Sequence, residues 1–303
     1  IDVAVMPSKH SVYFENIYGE NQDNRTQRVL AKADPFTVDY LKDIQAKIIH
    51  LGSLLADDFS LDVVKLSWLK KDSYPPTLKV ICAKFRDKKV YAVDWTEKEE
   101  ALKYIHFLKA NEHEMEVLTG HDDVVGAALK MYEWGVKEVL ITLGSLGSVI
   151  YDGKTFHKIP AYKPREVVDA TGCGDTYMTG YLYQRAKGAS IDEAGRFAAA
   201  MSTIKIEAVR PFSGSKEDVI HCMETAEQKF PEILRRACKI PHIFYCVGNF
   251  PQLERGIIPI AMGKIDLSKR LAERGHQQNT KSQQTDHHIS IFHIKSLRDC
   301  SDQ

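Results

Sequence analysis

Two kinds of hydrophobic pattern alternate through the middle of the chain. Short apolar runs typical of buried strands lie at 47–51, 90–93 and 138–142. Segments with apolar residues three and four positions apart, typical of helices packed on one face, lie at 60–68, 98–109 and 124–134. This alternation predicts an α/β fold in which a mostly parallel β-sheet is sandwiched between helices.

β-Hairpins are predicted before and after this region. β-prone runs at 11–14 and 25–30 flank a polar, turn-rich segment, which predicts two strands that stand apart from the main core. A second hairpin is predicted over 148–159, where the pair Asp152-Gly153 forms the turn.

Three further helices are predicted, at 174–186, 191–206 and 215–228. The middle one has apolar residues at 194, 197, 198, 201 and 204, which form one buried stripe. Beyond about residue 230 the alternation stops. Residues 238–303 match no pattern, and their Gln-, His- and Thr-rich stretch 276–288 is predicted to be disordered.

The composition excludes several classes of function. The chain has 303 residues with 41 basic and 41 acidic side chains, so no bulk charge favours nucleic acid or an anionic membrane. No apolar run approaches the roughly 20 residues that span a bilayer. The six cysteines form no CxxC pair, which disfavours a disulfide scaffold or zinc ribbon and is typical of a reducing cytosol.

The most informative segment is the glycine-rich run 168–180. A strand-like Glu166-Val167-Val168 leads into a turn that opens a helix, and Gly172 and Gly174 leave the backbone N–H groups of that turn accessible. A helix start of this kind suits a phosphate group, or the negative charge that develops during phosphoryl transfer.

Simple phosphate binding does not explain Asp175. Its carboxylate would repel an anion, unless its task is to take the proton from an incoming hydroxyl as a general base. The alternative is an Asp that only stabilises the start of the helix. The sequence contains no GxxxxGK(S/T), no GxGxxG and no HExxH, so it has no P-loop, dinucleotide or zincin motif.

The run 169–175 resembles the C-terminal signature D-T-x-G-A-G-D of the ribokinase-like (phosphofructokinase B-type) carbohydrate kinase family. Ala170 stands for the usual Thr and Cys173 for the usual Ala, both small residues. Residues 109–120 resemble the N-x-x-E motif of that family, and 141–147 resemble its ATP-phosphate turn. The resemblance covers roughly residues 1–230 and implies a ribokinase-like three-layer sandwich with a small β lid.

The resemblance also implies a role for each motif residue. Asp175 would be the catalytic base. The N–H groups of the anion hole would come from Gly172, Cys173 and Gly174. The ATP phosphates would be lined by Thr142, Gly144, Ser145 and Gly147, and the adenine would be bordered by Ala199 and Ser202.

Two cation sites are implied as well. Asn111 and Glu114 would organise Mg²⁺ through water, and their i, i+3 spacing puts both on one face of a helix start. Asp169 and Thr171 would face a monovalent-cation site. Arg210 stands where the family has Gly and brings a positive charge close to that site, which argues against K⁺.

Several of these assignments have a plainer alternative. Asn111 and Glu114 fit an ordinary helix N-cap and a solvated helix acid, and 142–147 fits a plain turn between strands. Cys173 is either a reactive thiol at a positive helix start or a small buried spacer. The stripe that contains Ala199 is chiefly core. The spacing of the tail histidines fits no standard metal site, so a solvated tail is favoured.

Two features depart from the family. The Asp-bearing strand and Gly-Gly segment that normally open the domain do not occur before residue 11, so we expect the N-terminal portion to be missing. The stretch 72–82, with two adjacent prolines, is unlike the core strand expected there.

The expected organisation is a partial β lid (1–34), an α/β core with the nucleotide site (35–237) and an unassigned tail (238–303).

The predicted function is therefore ATP-dependent phosphoryl transfer to a hydroxyl of a sugar or nucleoside, assisted by Mg²⁺. The alternative is a truncated, inactive nucleotide-binding remnant of such a kinase. A dinucleotide oxidoreductase is disfavoured because GxGxxG is absent. We expect a cytoplasmic protein that dimerises through the hairpin at 11–30 and binds neither nucleic acid nor membrane.

Overall fold

The computed structural model describes residues 5–18, 25–42, 44, 46–70, 76–79, 83–86 and 89–231. The predictions made for the first residues, for the turn at 19–24, for most of 72–82 and for 238–303 lie outside the described residues. None of the helices in the described ranges has the length and apolar character of a membrane span.

The strands are β1 (Tyr13–Tyr18), β2 (Arg25–Ala31), β3 (His50–Gly52), β4 (Thr77–Lys79), β5 (Ala83–Arg86), β6 (Lys89–Ala92), β7 (Phe107–Asn111), β8 (Glu138–Thr142), β9 (Ser148–Tyr151), β10 (Phe156–Ile159), β11 (Ala161–Tyr162) and β12 (Gln228–Lys229). The helices are α1 (Leu61–Leu69), α2 (Lys98–Ala101), α3 (Glu112–Thr119), α4 (Val124–Glu133), α5 (Cys173–Ala186), α6 (Ile191–Ile206) and α7 (Lys216–Thr225).

A six-stranded sheet forms the centre of the fold, in the order β10-β9-β8-β7-β4-β3. Strands β3, β4, β7 and β8 are parallel, and the antiparallel hairpin β9–β10 continues the sheet at one edge. One apolar core packs α1, α3 and α4 on the sheet, and a second core packs α5 and α6. The predicted three-layer α/β sandwich with a mostly parallel sheet is confirmed.

Parallel order brings the carboxyl ends of neighbouring strands to one edge of the sheet. In the register of the strands, Lys79 of β4 stands beside Lys109 of β7, and Asn111 at the end of β7 stands beside Thr142 at the end of β8. The first turn of α5 lies over this edge, because Asp175 contacts Lys79. Residues from four separate chain segments therefore meet here.

Two hairpins lie outside the central sheet. Strands β1 and β2 form one antiparallel pair, and β5 and β6 form another, with β2 next to β6. The hydroxyl of Tyr18, at the end of β1, lies 3.0 Å from the hydroxyl of Thr171 in the glycine-rich turn. The first hairpin predicted from the sequence is thus present and reaches the turn, while its role as a lid stays a prediction.

The predicted helix at 98–109 is wrong in its second half. Helix α2 ends at Ala101, a 3-10 turn spans Leu102–Tyr104, and β7 begins at Phe107. Residues 107–110 are buried on both faces, because β7 is a central strand between the two cores, with Phe107 in the second core and Leu108 in the first. Periodicity alone does not separate such a short, fully buried strand from a helix. The predicted strand at 90–93 also differs, since β6 pairs with β5 outside the central sheet.

Helices α5 and α6 carry the second core and lie close to their predicted bounds. Ser190 and Glu193 form a complete capping box at the start of α6, and Ser215 and Asp218 form another at the start of α7. Met178 and Tyr181 of α5 are fully buried in this core. The rigid pairing of α5 with α6 fixes the position of the glycine-rich turn that precedes α5.

Candidate active site

Asp175 lies in the first turn of α5, over the carboxyl edge of the sheet. Its Oδ1 accepts a hydrogen bond of 2.7 Å from Nζ of Lys79, the last residue of β4. The two side chains are 24% and 12% exposed, so this ion pair is largely withdrawn from solvent. The carboxylate predicted as the base is therefore held in place by a lysine that is 96 positions away in the chain.

The pKa of Asp175 is held below its ordinary value of 3.8. Burial is the largest single influence and by itself raises the pKa, because a desolvated carboxylate is disfavoured. Lys79, Lys109 and His50 act in the opposite direction and together outweigh it. Asp175 is consequently ionised at neutral pH, the state in which a carboxylate accepts a proton.

The start of α5 presents open backbone donors. Gly172 is its N-cap, in the left-handed conformation with φ 81°, and has no side chain to cap the helix. The N–H groups of Gly172, Gly174 and Asp175 have no acceptor among the described residues. The N–H of Cys173, predicted to be open, instead donates to the carbonyl of Ala170 at 3.2 Å. Two of the three predicted donors, those of Gly172 and Gly174, are therefore open, and the N–H of Asp175 is a further open donor.

Lys109 is a second buried lysine at the same edge, 3% exposed. Its Nζ lies 3.0 Å from where a Cβ on Gly174 would stand, so a side chain at that position would collide with the ammonium group. Lys79 and Lys109 come from adjacent strands and both lie at the start of α5. Their charges add to the partial positive charge of the helix N-terminus, which makes this edge favourable for an anion.

Asn111 and Glu114 form a capping box at the start of α3. Asn111 Oδ1 accepts from the N–H of Glu114 at 2.8 Å, and Glu114 Oε2 accepts from the N–H of Asn111 at 2.7 Å. Glu114 also lies 3.8 Å from Lys109 Nζ and is buried, not solvated as the plainer alternative expects. Among the described residues no cluster of His, Cys, Asp or Glu could ligate a metal ion directly. One oxygen of each side chain is used in the capping box, and the predicted role of the pair with Mg²⁺ stays a prediction.

The turn after β8, predicted to line the ATP phosphates, is tight and contains two glycines with positive φ. It begins at Thr142, and the N–H of Leu143 donates to the carbonyl of Gly147 at 2.8 Å across a 3-10 turn that includes Ser145. Gly144 and Gly147 have φ values of 54° and 100°, where glycine is favoured. A Cβ on Gly147 would lie 2.3 Å from the carbonyl oxygen of Ile159, so the turn is closely packed on β10.

Small residues connect α5 to α6. Ser202 Oγ donates to the carbonyl of Cys173 at 3.0 Å, and Cys173 Sγ lies 3.8 Å from the carbonyl of Ser202. Cys173 therefore acts as a small packing residue between the helices. Ala199 is buried, with 7% exposed, so it offers little surface to a ligand. Its predicted place beside an adenine ring stays a prediction.

Beneath the glycine-rich turn, Asp169 is held by Lys205, a residue in the last turn of α6. Lys205 Nζ lies 2.9 Å from the carbonyl oxygen of Asp169 and 3.3 Å from its Oδ2. Arg210, predicted to bring positive charge close to this site, is exposed, and its influence there stays a prediction. The charge in contact with Asp169 is that of Lys205, whose side chain reaches this residue from α6.

The residues that sequence reasoning missed are three lysines and one tyrosine: Lys79, Lys109, Lys205 and Tyr18. Two of them carried a signal. Lys109 interrupts the apolar run 107–110, and Lys205 follows Met201 by four positions on the buried stripe of α6. A charged residue at a buried position needs a partner, which is a reason to look for one. Lys79 and Tyr18 carried no such signal.

Comparison with known proteins identifies the family. The profile of the pfkB family carbohydrate kinases matches residues 19–216, a range that includes every predicted site residue. The chain belongs to this family. It is 29% identical over 202 residues to the cytidine kinase of Thermococcus kodakarensis, which covers 64% of this chain and 68% of that protein.

Solved structures of ribokinase-family kinases are similar to this pfkB-family chain. One is a pyrophosphate-dependent kinase in complex with sulfate, with 27% identity, a TM-score of 0.61 and coverage of 70% of this chain and 75% of that one. Another is the Arabidopsis thaliana ribokinase with ribose and ATP, with 25% identity, a TM-score of 0.54 and coverage of 66% and 65%. The predicted family, the ribokinase-like fold and the kinase class with a sugar or nucleoside acceptor are confirmed, and nothing in these comparisons favours the inactive-remnant alternative.

Proposed function

We propose that this chain transfers the terminal phosphoryl group of ATP to a hydroxyl of a sugar or nucleoside, with Asp175 as general base. The observation that supports this most is the arrangement at the start of α5. An ionised carboxylate stands beside open N–H donors, with Lys79 and Lys109 on the sheet below. Membership of the pfkB family supports the same chemistry independently.

In the proposed step, Asp175 accepts the proton of the substrate hydroxyl while that oxygen forms a bond to the terminal phosphorus of ATP. The bond from this phosphorus to the bridging oxygen breaks, and ADP leaves with the electron pair. The open N–H groups of Gly172 and Gly174 stabilise the charge on the transferring group. Lys79 can keep its hydrogen bond to Oδ1 while Oδ2 of the same carboxylate takes the proton, because a carboxylate has two acceptor oxygens.

The residues around the turn after β8 would hold ATP. Gly144 and Gly147 form a closely packed turn at the same edge of the sheet as Asp175, and Ser145 is exposed there. Asn111 and Glu114 would hold Mg²⁺ through water. When bound, Mg²⁺ supplies charge neutralisation for the phosphates.

The direct test is ADP release by the purified chain over a panel of sugars and nucleosides, with ATP and Mg²⁺. We expect turnover with at least one acceptor that carries a free hydroxymethyl or secondary hydroxyl group. Binding of ATP in calorimetry without turnover on any acceptor would instead support the inactive remnant.

Inorganic pyrophosphate is a second candidate donor. The similarity to a pyrophosphate-dependent kinase supports it, and so do the two lysines at the start of α5, which suit a small, highly charged donor. The panel is therefore run with each donor in turn. Turnover with pyrophosphate at a rate above that with ATP would replace ATP in the proposal while leaving the role of Asp175 unchanged.

The hairpin β1–β2 extends the proposal to substrate closure and assembly. Its Tyr18 meets Thr171 at the glycine-rich turn, which supports a role as a lid over the acceptor. We also propose a homodimer formed through this hairpin, and a cytoplasmic location in keeping with six cysteines that form no CxxC pair. Light scattering of the purified chain measures the assembly, and a monomer at all concentrations would contradict the dimer.

A further inference from the structure

Lys205, in the last turn of α6, is buried, with its side chain 3% exposed. An ammonium group is rarely so buried without partners, since removal from water is costly. Three oxygens surround it: the carbonyl of Asp169 at 2.9 Å, Oδ2 of Asp169 at 3.3 Å and the carbonyl of Ala208 at 3.1 Å. The three N–H donors of the ammonium group therefore each have an oxygen within reach.

This ammonium group lies directly beneath the glycine-rich turn. Asp169 uses its other oxygen, Oδ1, to accept from the N–H of Thr171 at 2.9 Å, which shapes the turn. The side chain of Lys205 passes 3.9 Å from where a Cβ on Gly172 would stand. The carbonyl of Ile206 accepts from the N–H groups of Val168 and Asp169, so the end of α6 holds the same segment.

The family resemblance implies a monovalent cation facing Asp169, but the residues present do not suit one. A cation bound by Asp169 would have to share its carbonyl and carboxylate oxygens with the ammonium group of Lys205. The bound cation and the ammonium group would then share the same oxygens and repel each other, most strongly where solvent is excluded. The positive charge that would neutralise Asp169 is already supplied by Lys205.

We propose that the ammonium group of Lys205 takes the place of a monovalent cation beneath the glycine-rich turn, so that this chain needs no K⁺ to hold its anion-binding donors in position. The inference rests on the proposed phosphoryl transfer for its catalytic consequence, but the occupancy of the site is a structural property that is measurable without turnover. Lys205 is a positioning residue, since it acts on the turn and not on the reacting atoms.

The first test uses the unaltered chain and needs no activity. Its thermal unfolding temperature and its ATP affinity in calorimetry are measured while K⁺ is replaced by tetramethylammonium at constant ionic strength. We expect no change in either quantity. A saturable, K⁺-specific rise in unfolding temperature would overturn the inference, because it would show that the site binds the ion despite Lys205.

The second test uses a matched pair of variants. Lys205→Ala leaves a cation-sized space lined by oxygens, whereas Lys205→Met fills the space without a charge. We expect K⁺ to raise the unfolding temperature of Lys205→Ala, and to restore most of an about tenfold loss in kcat/KM that follows from the displaced turn. Lys205→Met should not respond to K⁺. Exposed Lys216→Ala, the control, should behave as the unaltered chain.

The outcomes separate the inference from the proposed function. If the unaltered chain shows no turnover and its unfolding temperature does not respond to K⁺, the proposed phosphoryl transfer is contradicted and the role of Lys205 is supported. If the unaltered chain shows turnover that K⁺ increases about tenfold or more, the proposed phosphoryl transfer is supported and the role of Lys205 in place of K⁺ is overturned. If Lys205→Ala fails to fold, the K⁺ titration of the unaltered chain decides alone.

Discussion

Two lysine–aspartate pairs lie at the glycine-rich turn and differ in how they are held. After the turn, at the start of α5, Lys79 meets Asp175 at 2.7 Å, with side chains 12% and 24% exposed. Before the turn, Lys205 meets Asp169 at 3.3 Å and is also bound to two backbone carbonyls, with side chains 3% and 21% exposed. The shorter pair is the more accessible one.

The difference matters because the two aspartates have different tasks in the proposed mechanism. Asp175 has to take the proton of a substrate, so its contact with Lys79 must leave the carboxylate accessible and able to adjust. Asp169 only shapes the turn, so its partner can be fixed by several oxygens at once. The same two residue types therefore make an adjustable contact at the start of α5 and a permanent one before the turn.

The largest expected effect comes from removing the base. Asp175→Asn keeps the size of the side chain but not its ability to accept a proton, and we expect kcat to fall about 10²- to 10⁴-fold. Steady-state ADP release measures this. Asp62→Asn, which alters an exposed aspartate in the first turn of α1, is the control and should leave kcat unchanged. Full activity of Asp175→Asn would remove the proposed mechanism.

The next effect concerns stability. Lys205→Met leaves Oδ2 of Asp169 and the carbonyls of Asp169 and Ala208, all partly buried, without the ammonium group, and we expect a loss of about 2 kcal/mol in the free energy of unfolding. Urea denaturation followed by circular dichroism measures it. Lys79→Met should cost clearly less, because the ammonium group of Lys205 is the more buried of the two and is bound to three oxygens, two of them backbone carbonyls. Equal losses from both substitutions would contradict the distinction between a permanent and an adjustable pair.

A smaller effect is a change in pH dependence. The pKa of Asp175 lies below 3.8 in the folded chain, so both its ability to act as base and its contribution to stability persist above that value and are lost as the pH falls through the folded pKa. Lys79→Met removes the strongest influence that lowers this pKa. We expect the acid limb of kcat/KM to move to higher pH by about one unit. Lys130→Met, at an exposed ion pair on α4, should not move it.

The smallest expected effect is at Arg210. Because this side chain is exposed, Arg210→Ala should change the free energy of unfolding by less than about 0.5 kcal/mol. It should also leave the response to K⁺ as it is in the unaltered chain. A gain of K⁺ dependence on this substitution would show that Arg210, not Lys205, governs the charge beneath the turn.

Local patterns predicted much of the architecture. Strand β8 and helix α6 have their predicted bounds, since an apolar run and a three-four stripe with a capping box are short-range signals. The glycines and Asp175 of the turn were likewise recognisable, because a helix start with open donors is encoded within a few adjacent residues. The prediction of a helix over 98–109 failed in its second half, because β7 is defined by its pairing with β4 and β8 and not by its own periodicity.

The partners of the site residues were decided by the tertiary structure alone. Lys79 and Asp175 are 96 positions apart, and Tyr18 and Thr171 are 153 apart. Such pairs depend on the order of strands in the sheet and on the packing of α5 against α6, which bring distant segments together only when the whole core forms. The sequence by itself determined that an acid follows a glycine turn at a helix start; folding determined which lysine contacts that acid and which lysine holds the segment before the turn.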